Sequence, residues 1–469
     1  MKTNPFKMKH IMLAVMFAIY MAEYMVSLIC MDNSVYGLEA SGEAIHYLKM
    51  PALALGFLLF PLSQQLLSTI KSRRIILGII NVIFLVGMAL LMGLFFEPGL
   101  VVTLAANTVS LVSLGFIGGA VYYYYSMGLA DHPYMGRLGG VAGTSAFLLQ
   151  MVISSLGLVN WAILLLLLAG FAFIAYLTIG SQERFEWMFD EPLEYARKGD
   201  PSLPDSRAII AGIAGMIILY MICGLTDTII LSINFAGDMS IYAWPRLFGA
   251  VGYLVGGFLS DIGHRRWLMI FALCMSILSI PLPFILKSGY IIAGTCLYYI
   301  IAVSLLMFLN VFFWDLAPKT SHPHLISGMS RVIACLTAVI LPLFSGVPIM
   351  ADLIIEVLLA ILVVLCIASG GYVPAVSHKE NYSIKEGTAG PDQAAENAEK
   401  LDKFAQTHGL TPREKDFLIP LIESDDEIQV IASNMNISTR TVYRHINSIY
   451  EKTGTETRYA LMRYFYQTK

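Results

Sequence analysis

"GFLSDIGHRR", Gly257 to Arg266, is where one apolar run stops, turns and gives way to the next. Gly257 permits close approach of a neighbouring helix, Asp261 can cap a helix or pair with a basic neighbour, and Arg265 and Arg266 close the turn. The stretch separates two apolar segments, 241–260 and 266–286, each long enough to cross a bilayer.

The rest of the chain repeats this pattern. Of 469 residues 57% are hydrophobic and only 13% charged, with a mean hydropathy of +0.69. A soluble protein carries about a quarter charged residues, so the balance points to a polytopic membrane protein. The run from Ile11 to Cys30 follows a basic N-terminus without a small-residue cleavage site and reads as a retained first span. Six cysteines lie scattered through apolar runs with no CxxC and no nearby histidine cluster, so neither a metal site nor a cofactor is expected. Nucleotide loops, metal clusters and nucleophile arrangements are likewise missing from the sequence, and no enzyme activity is expected.

Apolar runs fall at 10–30, 45–69, 74–96, 99–128, 136–157, 159–179, 208–234, 241–260, 266–286, 290–314, 325–347 and 349–370, which predicts twelve transmembrane helices. Basic residues gather on one set of loops (Arg73 and Arg74, Arg137, Arg197 and Lys198, Arg265 and Arg266), whereas the opposite loops hold mostly acids. The positive-inside rule then places both termini in the cytoplasm. Small-residue pairs at Gly115/Gly119, Gly136/Gly140, Gly139/Gly143 and Gly252/Gly256 predict close helix packing. Four consecutive tyrosines, Tyr122 to Tyr125, cover every side of a helix and read mainly as interfacial belt and packing.

The spans divide six and six around the polar segment from Gly180 to Arg207. This layout, with the Gly257–Arg266 loop, resembles the major facilitator superfamily, whose loop motif sets a glycine, an aspartate and a basic pair between the second and third helices of a half. The matching N-terminal stretch, "QLLSTIKSRR", keeps Arg73 and Arg74 but lacks the glycine and aspartate. The expected organisation is an N-terminal membrane half (1–179), a cytoplasmic loop (180–207) and a C-terminal membrane half (208–370). A flexible linker (371–405) and a small soluble domain (406–469) follow.

In that last domain Thr411 suits an N-cap, Pro412 the first helical position, and Glu414 completes a capping box. A second helix is predicted at about 426–434, a turn at Asn436, and a third helix capped by Ser438. There Val442, Ile446 and Ile449 share one face, leaving Arg440, Tyr443, Arg444, Asn447 and Ser448 on the other. Two short helices, a turn and an arginine-bearing second helix form the helix-turn-helix layout that reads the major groove. The opening "LTPRE" and the run "IS.RTV..H...IY.K.G" resemble the LuxR-type helix-turn-helix domain. The resemblance implies base contacts by Tyr443, Arg444 and Asn447, and phosphate contacts by Ser438, Arg440, Thr441 and Lys452. It also implies a homodimer on DNA, formed through a last helix whose apolar contacts would be Leu461 and Phe465. Tyr443 and Asn447 make the reading face less basic than is common in that family.

LuxR-type domains usually follow a receiver or a soluble ligand-binding domain, and here the spans occupy that place. The chain as a whole resembles membrane-embedded LuxR-type regulators. This implies a one-component sensor in the bacterial inner membrane, controlling nearby genes in response to a small, often aromatic molecule. Ionisable residues inside spans are costly in lipid and so are the first ligand candidates. Glu23, Lys49, Asp227 and Arg246 qualify, with Tyr20, Tyr24, Asn107, Trp244, Asn310 and Trp314 available for stacking and hydrogen bonds. Internal pairing of Glu23 or Asp227 with Arg246 is the competing structural explanation, and Asp315 is expected to pair with Arg331. The alternative for the whole chain is a small-molecule transporter carrying an attached regulatory or interaction domain.

Overall fold

The computed structural model describes residues 8–34, 42–66, 70–94, 99–130, 132–179, 206–236, 244–263, 265, 267–320, 322–340, 401–423, 439–455, 461, 464 and 465. Among them the chain is helical and no strand occurs. It separates into two compact units, Met1–Lys379 and Glu380–Lys469. The segment between the halves from 180 to 205, the twelfth expected span and the linker up to 400 lie outside the described residues.

The first half of the membrane unit comprises α1 (Met8–Asn33), α2 (Gly42–Leu66), α3 (Ile70–Leu91), α4 (Leu100–Gly128), α5 (Met135–Ser155) and α6 (Asn160–Ile179). The second comprises α7 (Ser206–Ala236), α8 (Phe248–Ser260, entered through a 3-10 turn at Trp244–Leu247), α9 (Leu268–Ser279), α10 (Leu282–Lys287), α11 (Ile291–Leu316) and α12 (Met329–Ile340). Six described stretches are long and apolar enough to cross a membrane: Met8–Asn33, Leu100–Gly128, Met135–Ser155, Asn160–Leu177, Leu268–Leu286 and Ile291–Leu316. The span expected at 266–286 is interrupted, because Pro281 lacks the amide proton that a continuous helix would need there and α10 starts directly after it.

Small residues decide how closely the helices pack. A Cβ on Gly56 would stand 2.8 Å from the Gly115 Cα, so α2 and α4 meet backbone to backbone. Across the two halves, a Cβ on Gly257 of α8 would stand 2.7 Å from the Gly140 Cα of α5. The Thr144 hydroxyl donates to the Ala250 carbonyl at 2.9 Å along the same seam.

The Gly257–Arg266 loop closes one end of this seam. Asp261 caps a helix, but one lying 125 positions earlier rather than the helix after it. Its carboxylate accepts from the backbone N–H groups of Gly136 (2.9 Å) and Arg137 (2.7 Å), in the first turn of α5. Arg265 has φ 68°, a left-handed conformation uncommon outside glycine. From there its buried guanidinium pairs with Asp315 at the end of α11 and donates to the His132 carbonyl beside α5. The expected Asp315–Arg331 pair therefore does not form: Arg265 takes Asp315, and Arg331 lies in a different place, described below.

The C-terminal unit has its own core. Its described helices are a segment at 401–407, α13 (Pro412–Glu423) and α14 (Thr439–Thr453). Val442, Ile446 and Ile449 of α14 meet Phe417, Leu418 and Leu421 of α13, as the spacing predicts. Phe404 completes this core with its ring 5.1 Å from that of Phe465, so residues assigned above to the linker are packed into the domain. Leu461 and Phe465 are 0% and 5% exposed in the same core. As placed they cannot supply the dimer face expected of them, because the domain's own interior already buries them.

Candidate functional site

In the C-terminal unit the capping box forms as its residue types predict. The Thr411 N–H donates to Glu414 Oε2 at 2.7 Å, and the Glu414 N–H returns to Thr411 Oγ1 at 3.3 Å. Glu414 then does more than cap. Its carboxylate accepts from the Ser448 hydroxyl at 2.6 Å and from Lys452 Nζ at 2.7 Å, clamping α14 onto the start of α13. Burial by itself would raise this carboxyl's pKa, but the hydrogen bonds from Lys452, Ser448 and Thr411 outweigh it and bring the pKa down to about 2. His445 stacks on Phe417 at 4.7 Å and fixes the roll of α14.

That roll leaves Arg444 and Asn447 exposed, opposite the buried Val442, Ile446 and Ile449. Thr441 is half-buried. Lys452, expected at a phosphate, is engaged with Glu414 and with the Gly409 carbonyl (3.2 Å). The side chains of Arg440 and Tyr443, the whole of Ser438 and the helix expected at 426–434 lie outside the described residues.

A pH prediction follows from Glu414. Because its pKa is lowered on folding, its stabilisation is complete above about pH 5 and fades as pH falls through about 2. We expect Glu414→Gln to cost about 1–3 kcal/mol at neutral pH and to flatten the acid limb of the stability curve. Thermal melts of residues 380–469 between pH 2 and 7 would measure this; parallel curves for the two forms would show that the clamp is absent.

In the membrane unit the ligand candidates do not gather as one set. Glu23 is 6% exposed and turns away from Tyr20 and Tyr24 toward α6, where Gly170 leaves room for its carboxylate. Neither Glu23 oxygen has a hydrogen-bond partner. Asp227 accepts from the Tyr298 hydroxyl, and the Arg246 guanidinium lies 5.6 Å from the Phe147 ring centre. The pairing of either acid with Arg246 is not among the ion pairs of the described residues. Lys49 pairs with Asp32. Asn107 donates to the Thr103 carbonyl of its own helix at 3.0 Å, and Trp244 is 54% exposed against Phe248.

Tyr20, Tyr24, Asn310 and Trp314 do come together, around Tyr122 and Arg331, to which the sequence reading gave structural roles only. Tyr20, Met21 and Tyr24 lie on one face of α1, and Tyr122 projects from α4. Asn310 and Trp314 stand one turn apart on α11, and Arg331 enters from α12. The Tyr122 hydroxyl accepts from Arg331 Nε at 2.7 Å, and Arg331 is 5.0 Å from the centre of the Tyr24 ring. The Tyr122–Trp314 and Phe17–Trp314 ring centres are 5.5 and 5.1 Å apart. Tyr122 and Tyr125 are thus fully buried core residues, not part of an interfacial belt. Arg331 was visible in the sequence as an ionisable residue within an apolar run, but its expected pairing with Asp315 kept it out of the ligand set.

Comparison with known proteins fits both units. Residues 408–465 match the family model described as "Bacterial regulatory proteins, luxR family". No curated protein matches the chain. Among solved structures, the human organic anion transporter MFSD10 (TETRAN) matches over 79% of this chain and all of its own, with TM-score 0.51 and 14% identity, a likeness of fold. The chain is therefore a multi-pass membrane protein with a major-facilitator-like transporter fold, carrying at its C-terminus a helix-turn-helix domain of the luxR family of bacterial regulatory proteins.

Proposed function

We propose that the chain is a membrane-bound one-component transcriptional regulator. A small molecule enters the helix bundle, and the change is transmitted to the C-terminal domain, altering its hold on DNA near the genes it controls. The observation that carries this reading is the covalent joining of a luxR-family domain to a transporter-like membrane unit. In this reading the membrane is the bacterial inner membrane, both termini are cytoplasmic, and the basic loops support that orientation. Two chains pair on DNA. Arg444 and Asn447, exposed on α14, meet base edges together with Tyr443, while Arg440, Thr441, Ser438 and Lys452 hold phosphates.

The test is DNA occupancy by the full chain in lipid nanodiscs, on sites selected from a random library, with and without candidate ligands. Occupancy that no ligand changes would count against sensing. Arg444→Ala is expected to weaken specific binding by about 1–3 kcal/mol and relax selectivity at one base position. Unchanged affinity and selectivity would show that α14 does not read the groove. The likeness to a transporter fold supports a second reading, transport with an attached regulatory domain. Solute accumulation against a gradient in vesicles by the chain lacking residues 400–469 would favour it.

A further inference from the structure

Arg331 is 7% exposed inside an apolar unit, and among the described residues no carboxylate forms an ion pair with it. Its hydrogen-bond acceptors are the Tyr122 phenol oxygen and the Met21 sulfur at 3.1 Å, with the phenol of Tyr253 close by as a further partner. A guanidinium has five N–H donors, and sulfur is a weak acceptor. A cation so poorly matched in a lipid-embedded core costs free energy that an apolar residue would avoid.

A second observation points the same way. Asn310 is fully buried with its amide toward the Tyr122 hydroxyl, and its side-chain oxygen has no hydrogen-bond partner. The indole N–H of Trp314, one turn along α11, and the hydroxyl of Ser330, next to Arg331, are also buried and unpartnered. Buried polar groups are normally satisfied, and unsatisfied ones on the two helices that carry Arg331 and Asn310 suggest a missing occupant. The surroundings select its type. The guanidinium N–H groups left without an acceptor call for an acceptor-only anion, and a carboxylate offers two oxygens in the plane that matches the guanidinium fork. Phe17, Tyr20, Tyr24, Tyr122 and Trp314, packed edge to face on one another and on Arg331, make the surroundings aromatic, which suits an aromatic body beside the carboxylate. Met21, with three rotatable bonds, is the contact most easily displaced.

We infer that Arg331, with Tyr122 and Asn310, binds the carboxylate of a small aromatic acid, and that Met21 holds the place of one carboxylate oxygen when the site is empty. The inference rests on the membrane unit being the input of the proposed regulator, and it names the class of molecule received.

Binding is measured on the full chain in nanodiscs by tryptophan fluorescence and thermal shift. The probes are benzoate, phenylacetate and 3-phenylpropionate, with phenethylamine and 3-phenylpropanol as the cationic and neutral counterparts. At least one carboxylate should bind, and its counterparts should bind at least tenfold more weakly. Arg331→Lys keeps the charge but loses the fork, so the carboxylate should bind about 10-fold more weakly. Asn310→Leu, which leaves the guanidinium in place, should also weaken carboxylate binding and leave residual binding of the neutral alcohol unchanged. No binding of any carboxylate at millimolar concentration, preference for the amine, or unaltered binding by both variants would overturn the inference. A DNA response to some other ligand with no carboxylate binding would sink this site but leave the regulator intact. Carboxylate binding that depends on Arg331 but never alters DNA occupancy would sustain the site and sink the regulator.

Discussion

Replacing Asp261 with alanine is expected to destabilise the membrane unit by about 3–5 kcal/mol, the usual cost of removing one partner from a buried charged network. Three losses coincide. The N–H groups of Gly136 and Arg137 lose the carboxylate that terminates α5, so the first turn of that helix becomes unsatisfied inside the seam. Arg265, 4% exposed, keeps Asp315 but loses the second carboxylate, 4.0 Å away, that helps balance its charge. The α5–α8 contact at Gly140 and Gly257 then loses its polar anchor. Asp261→Asn keeps one acceptor oxygen and should cost roughly half as much. Arg137→Ala should cost under about 1 kcal/mol, because that side chain is 39% exposed and its contact with Asp261 is as long as 4.0 Å. The measurement is the midpoint of unfolding of the full chain as a denaturing detergent is titrated into a mild one. Equal midpoints for the wild type and Asp261→Ala would mean that the loop does not bind the halves together.

What could be read from residues alone follows the range of the interaction. The capping box at Thr411 and Glu414 joins positions three apart, so residue type and spacing settle it. The inward face of α14 is a helical period and needs no partner to be seen. The small-residue pairs announced close packing, though not which helix each would meet. Long-range partner choice was not legible. Asp261 carries the chemistry of a cap, but nothing near it says that the capped helix begins at Met135. Asp315 had two arginines to choose from, and only the left-handed turn at Arg265 brings that guanidinium to it. Glu23 and Tyr24 are adjacent in sequence and face different neighbours, since consecutive residues on a helix point about 100° apart. Leu461 and Phe465 were expected at a dimer face by resemblance alone, and their residue types do not state whether a partner chain or the domain's own Phe404 will cover them.

Gly115 offers the sharpest test of how the first half is assembled. A Cβ there would collide with the Leu53 carbonyl oxygen and lie 3.0 Å from the Gly56 Cα, both backbone atoms of α2. A flexible side chain can swing aside, but backbone can yield only by moving the whole helix. Along α2, Phe57 and Phe60 hold Tyr122 and Phe116 at ring separations of 5.4 and 5.6 Å, so a displaced α2 would also disturb the aromatic wall beside Arg331. Gly115→Leu is therefore expected to cost more than about 3 kcal/mol, the upper end of overpacking penalties, and to leave little monodisperse protein. Gly115→Ala should fall between this variant and the wild type. Gly99→Ala serves as the control, since an added Cβ there meets nothing within 4 Å. Size-exclusion profiles and unfolding midpoints of the three variants should rank in that order. A Gly115→Leu protein as stable as Gly99→Ala would show that α2 and α4 do not meet at their backbones, and the placement of Tyr122 against Arg331 would lose its support from α2.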